Sequence, residues 1–182
     1  MEINQEETIE IVKKIIQKMM LILKRNRFSL FLCTLFLIFS CNDKIDFNQY
    51  KSIDTEGWKS NEKISFTFDI KDTISPKNLF INLRNNNGYE FSNLYLITEL
   101  VFPNKTLVVD TLQYEMADET GLFLGTGFTE IKENKLFYKE KKVFPNAGTY
   151  IFNVRHAMRR NGEVHPIEFL KGVQDIGFSI EN

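Results

Sequence analysis

Cysteine is nearly absent from this sequence of 182 residues. The two cysteines, Cys33 and Cys41, both lie in the N-terminal part, where neither could staple a folded domain downstream. Their position excludes a disulfide framework and a cysteine-based zinc site in the rest of the chain. The domain must therefore be stable through burial alone, which a domain of roughly 140 residues can achieve.

The sequence also lacks an excess of charge of either sign, since its formal net charge is −1 and its pI is near 6.2. Proteins that neutralise nucleic-acid phosphates carry a basic footprint, which this balance does not provide. We therefore do not expect a nucleic acid among the partners. Aromatic residues make up 13% of the chain, and 17 residues are Phe, more than a polar disordered segment carries. A packed core is expected.

Signatures of catalysis are missing as well. There is no Gly-x-Ser-x-Gly elbow and no His-Glu-x-x-His sequence, and the glycine-rich stretch 121–127 lacks the Lys-Ser/Thr ending of a phosphate loop. Those glycines are expected to permit a bend or a close strand contact. Asp118 and Glu119 beside them could help to bind a cation, although a solvated turn is the commoner role. We predict no enzyme, no metal and no dissociable cofactor.

Histidine is scarce too, with His156 and His165 as the two examples. His156 shares a strand face with Tyr150 and Phe152, which predicts a core or edge histidine rather than a catalytic base. His165 precedes Pro166 in a predicted loop, where a surface position is favoured over a metal ligand. Two isolated histidines do not make a site.

The N-terminal part carries a targeting pattern. Lys24, Arg25 and Arg27 precede the uncharged run 28–39, as the n-region and h-region of a signal peptide do. A helix of about 12 residues would rise only ~18 Å, against ~30 Å for the hydrocarbon core of a bilayer. The run is too short to span comfortably, and a signal peptide over residues 20–40 is predicted.

This signal peptide ends in Leu-Ile-Phe-Ser-Cys, residues 37–41, which resembles a bacterial lipobox. Signal peptidase II would cut before Cys41, and the thiol would receive a diacylglycerol, with a further acyl chain on the new N-terminus. An ordinary signal peptide that happens to contain cysteine, or a short anchor, is the alternative. Asn42 stands where some bacteria place Asp to retain lipoproteins in the inner membrane, which favours the outer membrane.

The remaining boundaries follow from these features. Residues 1–19 precede a normal signal peptide, so we predict a mis-called start with translation beginning at Met19 or Met20. An amphipathic helix there is the alternative, because apolar residues recur at helical spacing. Residues 41–57 are polar and are predicted to be a tether, and residues 58–182 a single domain.

The predicted domain alternates apolar and polar residues with period two and contains no run of persuasive helical period. Turn signals rich in Asn, Pro and Gly separate about eight strands. These strands are 64–70, 79–84, 94–102, 106–115, 123–131, 135–144, 148–158 and 172–180. Short strands at this spacing without intervening helices predict an all-β fold, a single antiparallel β-sandwich.

Three stretches, within 83–94, 110–127 and 148–177, resemble the gliding-motility lipoproteins of the GldH type, found in gliding bacteria with a type IX secretion system. Phe123 and His156 depart from the family pattern, where a Trp-like residue and Gln are usual. The resemblance implies a lipid-anchored protein that acts in motility together with other motility and secretion proteins of the cell envelope. It offers no catalytic residues.

Candidate contact residues lie late in the sequence. Arg155, Arg159 and Arg160, with Lys171, could form a patch that docks an anionic partner, although salt-bridged surface arginines are the default. A glycan-binding lipoprotein is the rival hypothesis, with Trp58, Tyr89 and Tyr95 as stacking residues, although such aromatics are more often core.

Two threonines are candidate modification sites. Asp72-Thr73-Ile74 and Asp110-Thr111-Leu112 resemble the Asp-Ser/Thr-apolar sequon of periplasmic O-glycosylation in such bacteria. The match covers only three residues in each case.

Overall fold

A computed structural model describes residue 10 and residues 13–21, 45–127 and 130–182 of the chain. It divides into two compact units, Met1–Asn42 and Asp43–Asn182. In the first unit, residues 13–21 are helical and exposed. No helix in these described parts is long and apolar enough to cross a membrane. Residues 22–40 of the predicted signal peptide and Cys41 lie outside the described residues, so the lipidation site stays a prediction.

The described part of the second unit consists of ten strands. They are β1 (Ile45–Ser52), β2 (Trp58–Lys59), β3 (Ile64–Ile70), β4 (Lys77–Asn85), β5 (Asn93–Val101), β6 (Leu107–Glu115), β7 (Lys132–Lys142), β8 (Gly148–His156), β9 (Phe169–Leu170) and β10 (Val173–Glu181). Seven of the eight predicted strands overlap with one of these.

The strands form two four-stranded sheets, in the orders β1-β10-β4-β7 and β3-β8-β5-β6, and a small sheet of β2 and β9. Every pairing is antiparallel. Burial alternates along most long strands, for example in β5, where every second residue is buried. The prediction of an all-β antiparallel sandwich is confirmed.

Phe178 of β10 lies at the centre of the core, fully buried. Its ring stacks on Phe152 of β8 with centroids 4.1 Å apart, and it contacts Phe66 and Phe68 of β3 at 6.2 and 5.5 Å. Because β10 belongs to one large sheet and β3 and β8 to the other, this aromatic cluster holds the two sheets face to face.

Strand β1 corrects one predicted boundary. The prediction of a tether over 41–57 is wrong for residues 45–52, which pair with β10. Phe47 packs on Phe68 with ring centroids 5.5 Å apart. As an edge strand, β1 is held chiefly by backbone hydrogen bonds to β10, and its polar composition does not reveal them.

The predicted strand at 123–131 is also wrong for its described residues, 123–127 and 130–131. In its described part, Phe123 and Thr126 form only isolated bridges, with Ala117 and Glu133. Gly127 has a φ of +151°, and a Cβ there would lie 2.4 Å from the carbonyl oxygen of Ile131, so only glycine fits this bend. The glycines end the strand pattern that the apolar residues suggest.

The sandwich has two distinct ends. We call the end at which β1 begins the near end; it consists of turns 71–76, 102–106 and 143–147. The opposite, far end consists of segments 53–63, 86–92, 116–127, 130–131 and 157–172 and includes the small β2-β9 sheet. The near end therefore has short turns, and the far end has longer loops.

Candidate functional site

An ionic cluster organises the near end. Lys77, at the start of β4, is almost fully buried. Its ammonium group lies 2.6 Å from an Asp46 carboxylate oxygen and 3.8 Å from one of Asp72, and it also donates to the side chain of Asn182. The cluster thus connects β1, the 71–76 turn and the end of β10. Its members are far apart in the chain, so no local sequence pattern predicts it.

Asp72 also shapes the turn that follows it. Its carboxylate accepts hydrogen bonds from the backbone amides of Ile74 and Ser75, at 2.9 and 3.0 Å. Hydrogen bonds from Ser75, together with those amides, hold the pKa of this carboxyl well below its ordinary value. The turn is therefore fixed at its base, and it leaves Ile74 85% exposed at its tip.

His156 is central to the far end. It is fully buried, and its Nε2 lies 2.9 Å from the carbonyl oxygen of Trp58, while its Nδ1 accepts from the amide of Met158 at 3.4 Å. A carbonyl can only accept, so Nε2 carries the proton and the ring is neutral. Burial lowers its pKa to about 4. The prediction of a core histidine is confirmed.

The aromatic residues proposed for a glycan site do not form one. Trp58 is fully buried and Tyr89 nearly so, and neither ring offers a face to a sugar. Trp58 instead packs edge-on against His156 at 5.5 Å and donates its indole N–H to the Glu62 carbonyl at 3.2 Å. Tyr89 donates to the Asn93 carbonyl at 2.7 Å, and burial raises its pKa. Tyr95 alone is half-buried.

The predicted basic patch is only partly assembled. Arg159 and Arg160 are exposed in the 157–168 loop, and Arg160 and Lys171 line one small depression of about 90 Å³ at the far end. Arg160 lies 3.6 Å from Glu90, with both side chains more than half exposed, so this ion pair contributes little. Arg155 is half-buried in β8, apart from that depression.

The two candidate threonines differ in surroundings. Thr73 is half-buried within the Asp72 turn at the near end. Thr111 is exposed in the middle of edge strand β6. The carboxylate of Asp110 beside it lies 2.9 Å from both the Lys139 ammonium and the Tyr138 hydroxyl.

Asp118 occupies a self-contained turn. Its carboxylate accepts from the Thr120 hydroxyl and amide at 2.7 and 2.9 Å, and from the Leu122 amide at 3.0 Å. Hydrogen bonding by Thr120, the largest effect, lowers the pKa of this carboxyl. Among the residues that the structure describes, no three His, Cys, Asp or Glu side chains are grouped so that they could hold a metal ion.

The outer face of the β1-β10-β4-β7 sheet carries a network that sequence analysis missed. The Tyr50 ring covers Gly177 on the neighbouring strand, where a Cβ would lie 2.8 Å from it. The guanidinium of Arg84 lies 4.3 Å from the centre of that ring, and the hydroxyl donates to Glu133 at 2.6 Å. Burial and that hydrogen bond raise the pKa of Tyr50 to about 12. A glycine inside a strand, opposite a tyrosine, was the available signal.

The sequence of the sandwich matches a known protein family. A sequence profile of the family described as GldH lipoprotein matches residues 46–180, nearly the whole span from β1 to β10. The chain belongs to the GldH lipoprotein family. This match includes β1, in agreement with its place in the sheet.

Curated relatives agree with the family assignment. The chain is 43% identical over 159 residues to the "Gliding motility lipoprotein GldH homolog" of Christiangramia forsetii, covering 86% of this chain and 97% of that protein. It is 42% identical over 145 residues to the "Gliding motility lipoprotein GldH" of Flavobacterium johnsoniae, covering 80% and 89%. The resemblance predicted from the sequence is confirmed.

Solved structures add little to this GldH-family assignment. The VP2 subviral particle of infectious bursal disease virus matches with a TM-score of 0.33 and 14% identity, over 75% of this chain and 30% of the viral one. The TM-score is too low for the likeness to support an argument about fold or function.

Proposed function

We propose that this GldH-family protein is a lipid-anchored, non-enzymatic adaptor that gliding motility requires. In this proposal Cys41 carries the diacylglycerol and acyl chain, and the sandwich lies at the outer membrane. Its partners are other motility and type IX secretion proteins of the cell envelope. Acylation confines the domain to a surface and thereby raises its effective concentration for partners confined to the same surface.

The observation that carries this proposal is the 43% identity over nearly the full length of a relative that is named as a gliding motility lipoprotein homolog. Several of the described charged side chains take part in contacts within the sandwich. Lys77 joins β1 to the 71–76 turn, Glu133 binds Tyr50, and Asp110 binds Lys139. The buried His156 is neutral and holds Trp58, so it supports structure rather than proton transfer.

The lipid anchor can be tested with a matched pair of cysteine variants. Cys41→Ala should abolish acylation, while Cys33→Ala, eight residues upstream in the predicted signal peptide, should leave it intact. Intact-mass analysis of the membrane fraction should show a mature protein that starts at Cys41 and carries lipid in the wild type and in Cys33→Ala. A lipid-sized mass increment that persists in Cys41→Ala would contradict the proposed site.

The motility role is tested in the same strains. A deletion strain should neither glide nor spread, and the gene for the wild type or for Cys33→Ala should restore both. Cys41→Ala should fail to restore them although the protein is present. Crosslinking followed by mass spectrometry should recover motility or secretion proteins only with the acylated forms. A deletion strain that glides normally would refute the motility assignment.

The two candidate threonines belong to this proposal as optional glycan carriers, and Thr111 is the more accessible of them. Intact-mass analysis of Thr73→Val and Thr111→Val proteins from the native host tests each site separately. A wild-type mass without added sugar would rule out both glycosylation sites.

A further inference from the structure

The position of β1 limits how far the sandwich can stand from the membrane. Ile45 already pairs with β10, and only residues 42–44 separate it from Cys41. Four residue steps of fully extended chain reach at most ~14 Å. If Cys41 is acylated, as the proposed function requires, the near end must lie next to the bilayer surface.

The ionic cluster also ties the 71–76 turn to this attachment point. Lys77 lies 2.6 Å from Asp46, the second residue of β1, and 3.8 Å from Asp72, which begins the turn. The hydrogen bonds that Asp72 accepts from the amides of Ile74 and Ser75 fix the backbone of this turn. A large apolar side chain, Ile74, is therefore presented to solvent beside the strand that leaves the anchor.

Other side chains at the near end suit a lipid headgroup region. Val143, in the neighbouring turn 143–147, is 45% exposed. Lys71, Lys105 and Lys141 are exposed in or beside the near-end turns, and so are the carboxylates of Asp69, Asp72 and Glu140. The ion pair of Lys141 with Glu140 spans 3.9 Å between two highly exposed side chains and leaves the ammonium largely available. Exposed apolar tips with lysines nearby are typical of surfaces that lie at a bilayer interface, where the lysines can contact lipid phosphates.

We propose that the near end is a bilayer-contact surface. Ile74 and Val143 enter the headgroup region, and Lys71, Lys105 and Lys141 lie against the phosphates of anionic lipids. The acyl anchor supplies the attachment, and this second contact fixes the orientation. The far end, with the depression lined by Arg160 and Lys171, then points away from the membrane and is presented to partners.

A fluorescent probe on the acylated protein tests this orientation. In the mature acylated form Cys33 has been removed and the Cys41 thiol is consumed, so one introduced cysteine is the single free thiol. We would label Val143→Cys with bimane, which leaves Ile74 in place. The matched control is Val164→Cys, which is 80% exposed in a far-end loop. Both proteins are reconstituted in vesicles of phosphatidylethanolamine and phosphatidylglycerol that contain lipids with a nitroxide near the headgroup.

We expect severalfold stronger quenching of the probe at position 143 than of the probe at position 164. Adding Ile74→Asp should reduce the quenching at position 143, whereas Leu122→Asp, at an exposed far-end position, should leave it unchanged. Vesicles of phosphatidylcholine alone should weaken the quenching, because the lysines lose their anionic partner.

Failure of this inference is distinguishable from failure of the anchor. Protein that does not float with vesicles, and whose mass lacks lipid, would refute acylation at Cys41 and with it the premise of the inference. Protein that floats but shows equal quenching at positions 143 and 164 would keep the anchor and overturn the contact surface. Sugar on Thr73 in the native protein would also overturn it, since a glycan beside Ile74 would hold the turn off the bilayer.

Discussion

The two ends of the sandwich are closed by different kinds of interaction. The near end relies on a buried ammonium, Lys77, shared between two carboxylates and an amide. The far end relies on neutral groups that are packed tightly, Trp58 against His156 and the β2-β9 sheet against the main fold. The near end therefore holds the 71–76 turn in place by charge, while the far end supports long loops on neutral, tightly packed side chains.

This difference separates two tasks. An ion cluster joins β1, the 71–76 turn and the end of β10 where the chain emerges from the proposed anchor. Arg159 and Arg160 are exposed at the far end, and the ion pair of Arg160 with Glu90 contributes little, so both side chains are available for contact. Substitutions at the two ends should therefore change the free energy of unfolding by different amounts and with a different dependence on pH.

The largest expected effect is at a far-end glycine. Gly172 has a φ of +81°, and a Cβ there would lie 2.1 Å from the backbone nitrogen of Tyr89. Gly172→Ala adds backbone strain to a backbone clash, and we expect it to lower the free energy of unfolding by about 4 kcal/mol. Gly162 has the same φ and nothing within 4 Å, so Gly162→Ala should cost only about 1 kcal/mol. Equal urea midpoints for the two variants would show that the far end is not tightly packed there.

The next effect is a pH dependence that originates at the far end. The pKa of His156 is about 4 in the folded protein and ordinarily 6.5, so the unfolded chain binds more protons between these values. Keeping the buried His156 ring neutral therefore contributes about 3 kcal/mol to the free energy of unfolding above pH 6.5. This contribution is lost as the pH falls through 4. His156→Gln can keep a donor toward Trp58 without titrating, and its stability curve should be flatter over this window.

The control for that experiment is His165→Gln, because His165 is exposed. Urea unfolding at several pH values between 7 and 4 should show the wild-type slope in this variant. The same flattening in both variants would mean that the slope does not come from the buried ring. At the near end the Asp72 carboxyl has a lowered pKa. Its contribution to the stability of the fold is therefore lost only below about pH 4.

These predictions also show what the sequence alone allows. The alternation in β3, β5 and β8 is enough to predict the sandwich, and His156 is predicted as core from the face it shares with Tyr150 and Phe152. β1 could not be predicted from the sequence, because a polar edge strand is defined by its hydrogen bonds to β10 rather than by a buried face. The Lys77 cluster could not be predicted either, since Asp46, Lys77 and Asn182 come into contact only after the sheet has formed.

A smaller effect is expected at the near end. Lys77→Met should lower the free energy of unfolding by about 2 kcal/mol, less than for a fully buried pair, because Asp46 and Asp72 are partly exposed and can be hydrated. Arg160→Met, which breaks the exposed pair with Glu90, should cost less than about 1 kcal/mol. If the two substitutions had the same cost, the near end would not depend on its ionic cluster.

The smallest expected change in stability comes from Arg159→Glu at the far end. Arg159 is exposed, and its one described structural link is a backbone bridge to Pro166 that a side-chain replacement preserves. The free energy of unfolding should change by less than about 0.5 kcal/mol. If the far end docks an anionic surface of a partner, the reversed charge should nevertheless lower the recovery of crosslinked partners from cells. Lys71→Glu at the near end is the matched charge reversal and should leave that recovery unchanged, because the near end faces the membrane. Normal recovery with Arg159→Glu would remove this residue from the docking surface and leave the far-end loops with another role.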